Sequence, residues 1–166
     1  MPLDLPNGAV CFVDSNVLYY SLVLTPDVSD SCAKFVDRIL AGEIIANCTV
    51  SVLADVVHKV MMYEAAVKTG RPRSGIVGWL KRHPETVGTL TEFNLAAQRL
   101  STLPLNLLAV DPAVLVDAAG ISAKHSLLTG DATIVALMGR HGINHLATND
   151  NDFDGVPNIT VWKPQP

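Results

Sequence analysis

The sequence predicts an α/β protein, a three-layer α/β/α sandwich around a mostly parallel five-stranded sheet. Two observations carry this. Short apolar runs recur along the chain and alternate with longer stretches of helical periodicity. Each run is apolar throughout, as in a strand covered on both faces. The 166 residues are 49% hydrophobic and 17% charged. That is enough to bury a core without disulfide or metal staples, and it excludes a disordered chain. A single domain over residues 1–166 is expected.

The elements follow in order. Residues 9–13 read as a buried strand stopped by a polar cluster. Pro26, Asp27 and Asp30 introduce a helix over about 29–41, with Gly42 as its stop. Glu43 to Cys48 is a second strand. Residues 49–69 form a helix in which Val52, Leu53, Val56, Val57, Val60 and Met61 share one face, closed by Gly70. Residues 70–76 are a loop by composition. A short helix over 76–83 stops at His83-Pro84, and a further helix runs from about 85 to 101. Leu105 to Val110 is a third strand. Asp111 and Pro112 are N-cap and N1 of a helix over 112–125. Thr129 caps a helix over 131–141 that Gly142 ends, and strands at 144–148 and 158–162 complete the sheet.

The net charge of −4 argues against tight, sequence-independent binding to nucleic acid, although it leaves room for a local basic patch. Cys11, Cys32 and Cys48 are widely spaced, with no CxxC pair, which argues against a zinc site or redox motif. Cys11 and Cys48 lie in apolar surroundings and read as small buried hydrophobes, and a reducing cytoplasm fits best. The N-terminus has no basic region followed by an apolar core, and no run is long enough to cross a bilayer, so no membrane association is expected.

Four aspartates sit in or beside apolar segments. Asp14 ends the first strand, Asp55 lies within the helix at 49–69, Asp131 opens the helix at 131–141, and Asp150 follows the fourth strand with Asp152 behind it. Carboxylates in such settings must be neutralised, paired or bound to a cation. In parallel sheets ligands bind beyond the carboxyl ends of the strands, where Asp14 and Asp150 fall. A divalent-cation site is the leading expectation. Plainer readings stand beside it. Asp14-Ser15-Asn16 could be a strand-ending turn. Asp55 could pair with Lys59 at i, i+4 on a solvated face. Asp131 could simply meet a helix dipole.

Asp14-Ser15-Asn16-Val17-Leu18 after an apolar strand resembles the opening motif of the PIN domain. Val52-Leu53-Ala54-Asp55-Val56-Val57-His58 resembles its second motif, with Asp55 where the family more often has Glu. Gly130-Asp131-Ala132-Thr133 resembles the third, and Leu146-Ala147-Thr148-Asn149-Asp150-Asn151-Asp152-Phe153 the fourth. The motifs occur in family order across residues 9 to 164. The stretch at about 67–101 is longer than compact members need. The resemblance implies a metal-dependent ribonuclease, most often the toxin of a VapC-type toxin–antitoxin pair. It further implies Mg²⁺ or Mn²⁺ as cofactor, an RNA substrate, an antitoxin partner and a homodimer.

On that resemblance Asp14 is the central ligand, Asp131 and Asp150 complete the set, and Asp55 binds metal or orients the attacking water. Asn16, Ser15 and Thr148 aim the carboxylates, with Asp152 as an auxiliary acid. The hard cations prefer such oxygen donors, and crowded carboxylates have raised pKa values until a cation arrives. A non-catalytic PIN-like binding module is the alternative, kept alive by Asp55.

Two other readings fail. Asp150 to Gly155 opens like an EF-hand loop, but the twelfth position is Val161. A haloacid-dehalogenase-type phosphatase needs an acid where Asn16 stands. Arg71, Arg73, Lys81 and Arg82 with Trp79 form the most basic stretch. It reads either as a solvated surface or as an RNA-contacting one in which Trp79 stacks on a base. The consecutive Met61, Met62 and Tyr63 read either as an interface or as part of the domain's own packing.

Overall fold

A computed structural model describes residues 1–166. Strand β1 (Val10–Val13) is followed by helices α1 (Ser15–Leu22) and α2 (Ser29–Leu40). Strand β2 (Ile45–Cys48) leads into the long helix α3 (Val50–Thr69). Then come α4 (Ile76–Arg82), α5 (Pro84–Val87) and α6 (Glu92–Thr102). Strand β3 (Asn106–Leu107), helices α7 (Pro112–His125) and α8 (Thr129–His141), and strands β4 (His145–Ala147) and β5 (Thr160–Trp162) complete the chain.

All strand pairs are parallel, in the order β3-β2-β1-β4-β5. Central β1 places Cys11 against Ala46 on one side and His145 on the other. Its Cys11, Phe12 and Val13 are fully buried, as a strand covered on both faces requires. From β1 the chain steps one way to β2 and β3, and then crosses back to β4 and β5. Right-handed crossovers therefore place α1–α6 on one face and α7–α8 on the other. The helix contacts agree: α3 packs on α1 and α6, α1 on α2, and α7 on α8. The main core fills the space between these layers and the sheet.

Local signals account for most element ends. The Thr49 hydroxyl accepts from the Val52 N–H, and Asp111 accepts from the Val114 N–H, so both act as N-caps. Gly70 and Gly142 close α3 and α8 in the left-handed conformation, at φ 64° and 63°.

Four expectations are corrected. Residues 15–22 form helix α1, not a turn alone, with Asp14 as its N-cap. The helix expected over 85–101 is two helices, broken at 88–91. The Glu64 carboxylate of α3 accepts from the Thr91 and Glu92 N–H groups and so fixes a new helix start there. Helix α8 begins at Thr129, with Leu128 in the cap position and no side-chain cap. The third strand shrinks to two exposed residues at the sheet edge.

The stretch at 67–101 packs as a satellite of the main core. Ala65 and Ala66 of α3 meet Ile76, Leu80 and Leu90 in a small second cluster, with Met61 and Met62 against it. Tyr63 packs on the main core. The Met61-Met62-Tyr63 run is thus used within the chain. All three cysteines are buried and free, and burial raises each thiol to about 12. No helix is long and apolar enough to cross a membrane.

Candidate metal centre

The sheet order reverses between β1 and β4, and at that point the carboxyl ends of the strands open a cleft of about 420 Å³. Asp14, Ser15 and Asn16 enter it from the end of β1 and the start of α1. Asp55 and Lys59 enter from α3, Asp131 from α8, and Asp150 from the segment after β4.

Backbone bonds tie β4 to both of its neighbours, β1 and β5, beyond the last paired residues. The Asp14 N–H donates to the Ala147 carbonyl at 3.0 Å, and the Thr148 N–H to the Trp162 carbonyl at 3.0 Å. Asp14 and Thr148 are therefore fixed side by side.

Asp14 is 8% exposed and its carboxylate accepts three hydrogen bonds. They come from the Ser15 N–H at 2.6 Å, Asn16 Nδ2 at 2.5 Å and Thr148 Oγ1 at 2.7 Å. The Asn16 amide also donates to Thr148 Oγ1 at 2.9 Å, and its carbonyl accepts from the Asn149 N–H at 2.9 Å. Thr148 Oγ1 accepts from the Asp150 N–H at 3.0 Å, and Asp150 in turn accepts from the Asp152 N–H at 2.9 Å. Asn16 and Thr148 thus lock the first and fourth acidic segments to each other. Because Thr148 is fully buried, Thr148→Val leaves three polar partners short of a bond. Urea melts should show a loss of about 1–3 kcal/mol. An unchanged midpoint would mean that water replaces the hydroxyl.

Electrostatics separate Asp14, Asp131 and Asp55. Burial pushes the Asp14 carboxyl up, and its bonds to Thr148 and Ser15 offset only part of the shift. Asp131 is raised to about 6, first by burial and then by the charges of Asp14, Asp150 and Asp152. Asp55 behaves differently. Burial pushes it up, but bonds to Lys59 and Ser15 and the charges of Lys59 and His58 outweigh this and hold it below the ordinary value.

Lys59 is the residue that sequence reading undervalued. The i, i+4 pair with Asp55 does form, at 2.7 Å, but inside the cleft and not on a remote surface. Its ammonium also donates to Ser15 Oγ at 2.8 Å. The spacing from Asp55 was a visible signal of the pair. Its location depended on how α3 meets α1.

The donor chemistry suits a hard divalent cation: four carboxylates face one cleft, and burial together with its neighbours' charge holds Asp131 above the ordinary carboxylate range. No three His, Cys, Asp or Glu side chains stand close enough to form a ready-made ligand cluster. Asp152 does not line the cleft and acts on Asp131 through its charge.

The model of the PIN domain family matches residues 11–159, which contain every one of these acids. The chain belongs to the PIN domain family. Solved structures show the same fold at low sequence identity. VapBC2 from Rickettsia felis, bound to a DNA fragment from its promoter, aligns with a TM-score of 0.58 and 13% identity, over 94% of this chain and 99% of that one. VapC20 from Mycobacterium tuberculosis, described as a Sarcin-Ricin loop cleaving toxin, aligns with a TM-score of 0.58 and 18% identity, over 89% and 95%. PAE2754 from Pyrobaculum aerophilum aligns with a TM-score of 0.53 and 15% identity, over 92% and 89%. A search of curated proteins finds no match.

Proposed function

We propose that this PIN domain is a divalent-metal-dependent ribonuclease, acting as the toxin of a type II toxin–antitoxin pair. The observation that carries the reading is the convergence of Asp14, Asp55, Asp131 and Asp150, from four separate elements, on one cleft at the sheet's switch point. The partner and the substrate class are carried over from the fold neighbours, one a VapBC complex and one a toxin that cleaves the Sarcin-Ricin loop. A homodimer remains part of the proposal on family resemblance.

Asp14, Asp131 and Asp150 would hold Mg²⁺ or Mn²⁺, with Asp55 directly or through water. The bound ion supplies charge neutralisation at the phosphodiester and lowers the pKa of water. The protein's own groups do the rest. Ser15, Asn16 and Thr148 aim the Asp14 carboxylate, and the Thr148 and Ser15 bonds offset part of the cost of burying its charge. Asp55, kept anionic by Lys59, is suited to orient a water by accepting a hydrogen bond from it. Lys59 carries the positive charge that lines the cleft among these acids and can meet a phosphate oxygen.

The test is cleavage of a labelled structured RNA by the purified protein with Mg²⁺ or Mn²⁺, with EDTA, and beside Asp131→Asn. Cutting that needs the metal and is lost in the variant supports the reading. Well-folded protein that cuts none of several RNAs with either metal would sink it. The same result would favour a PIN module that binds without cleaving, a reading that rests on the pairing of the shorter Asp55 with Lys59.

A further inference from the structure

We infer that Arg71, Arg73 and Arg82, at the loop before α4 and along that helix, form a preorganised platform for the phosphate backbone of a single RNA strand leading to the cleft. This rests on the ribonuclease reading above and adds a surface to it.

Charge is the first observation. Residues 65–84 contain Lys68, Arg71, Arg73, Lys81 and Arg82 and no acid, a local charge of +5 in a chain of net charge −4. Elsewhere the cations are largely spent: Arg38, Lys59, Arg140 and Lys163 all pair with carboxylates. None of the five in this segment does. All five are exposed.

For Arg71 and Arg73, aromatic rings take the place of those carboxylates. The Arg71 guanidinium lies 4.6 Å from the centre of the Trp79 ring, and His83 stacks on that ring at 4.3 Å. Trp79 is therefore engaged, not free to stack on a base as the sequence suggested. Arg73 lies 4.9 Å from the Tyr63 ring and donates to the Tyr19 hydroxyl. A guanidinium held by its face keeps its positive charge and most of its edge donors for phosphate oxygens. A carboxylate partner would have consumed both.

The third observation joins the platform to the cleft. Ser15 of α1 and Lys59 of α3 are hydrogen-bonded at the cleft wall. Tyr19 and Tyr63 lie four residues further along those same two helices, about 6 Å of helical rise. Arg73 rests on both tyrosines. The tyrosines that carry Arg73 thus lie about one helical turn from the Ser15–Lys59 pair at the cleft wall. Lys68 is not counted in the platform, because its ammonium is bonded to the Thr89 carbonyl.

The test uses the full chain in EDTA, so that binding is read without cleavage. A fluorescein-labelled single-stranded RNA 12-mer is titrated by anisotropy across a series of salt concentrations. The double variant Arg71→Gln/Arg73→Gln should weaken binding at least tenfold. It should also flatten the salt slope by about 1.4, two single-strand contacts at roughly 0.7 each. Arg73 touches two helices, so Lys81→Glu/Arg82→Glu, on an exposed helix end, serves as a second variant that leaves those contacts in place. It should also weaken binding. Binding and slope unchanged in both variants overturn the platform, the outcome expected if this face docks a protein instead. Arginine-dependent binding without cleavage after Mn²⁺ is added would leave the platform standing and remove the nuclease reading. Cleavage with arginine-independent binding would do the reverse.

Discussion

Asp131→Asn is expected to make the metal-free protein more stable at pH 8 while reducing RNA cleavage by at least ~100-fold. The Asp131 carboxyl is half-buried and raised from 3.8 to about 6 by burial and by the charges of Asp14, Asp150 and Asp152. A carboxyl with a raised folded pKa binds protons more tightly in the native state. Its ionisation therefore destabilises the fold progressively as pH rises from about 4 to about 6, and the cost is fully present above that window. The shift alone sets a ceiling of ~3 kcal/mol, which solvent screening of a half-buried group reduces to about 1 kcal/mol. Asparagine removes this cost at pH 8 and changes little at pH 3.5, where the aspartate is already neutral. Urea melts in EDTA at the two pH values measure it. A variant no more stable than wild type at pH 8 would show that Lys59 already compensates the charge.

Asp14→Asn should lose cleavage as well, but it does not share the gain in stability. Asp14 accepts from three donors, and an amide nitrogen in the same place faces at least one of them donor to donor. Neutralisation is expected to relieve repulsion at Asp131 but to cost a hydrogen bond at Asp14. Asp131→Asn is accordingly the better inactive control.

Lys59→Met is expected to tighten Mn²⁺ binding and weaken RNA cleavage at the same time. Lys59 lowers the pKa of Asp14, Asp55 and Asp131, so its ammonium already occupies part of the field that a cation would enter. Removing one unit charge near a divalent ion corresponds to an affinity gain on the order of tenfold under water-like screening. The same change frees Asp55 and Ser15 from their partner and removes the phosphate contact proposed for Lys59. Calorimetric titration of Mn²⁺ into both proteins, beside a cleavage time course, separates the effects. Unchanged metal affinity would place Lys59 outside the field of the site. Faster cleavage would make it an inhibitory plug.

The stable part of this protein's description was legible in local pattern. Helix α3 was bounded correctly because Thr49 and Gly70 are strong end signals around an apolar stripe. The start of α7 followed from Asp111-Pro112 in the same way. Helix α1 was missed because Asp14, Ser15 and Asn16 are turn formers, and the polar groups that end β1 also begin an eight-residue helix. The break at 88–91 was invisible because its cause is Glu64, a residue of another helix that captures two backbone N–H groups.

The α/β class and most element positions are written in local pattern, because helical and strand periods and caps act within a turn or two of the chain. Tertiary structure decided which of these groups meet. Asn16 and Thr148 are 132 positions apart and share a bond, and Ser15 and Lys59 are 44 apart and share another. Whether Asp55–Lys59 was a surface pair or part of the cleft, and whether Trp79 was free or engaged, depended on helix crossings. Such contacts arise from the packing of layers across the sheet, and no local period encodes them.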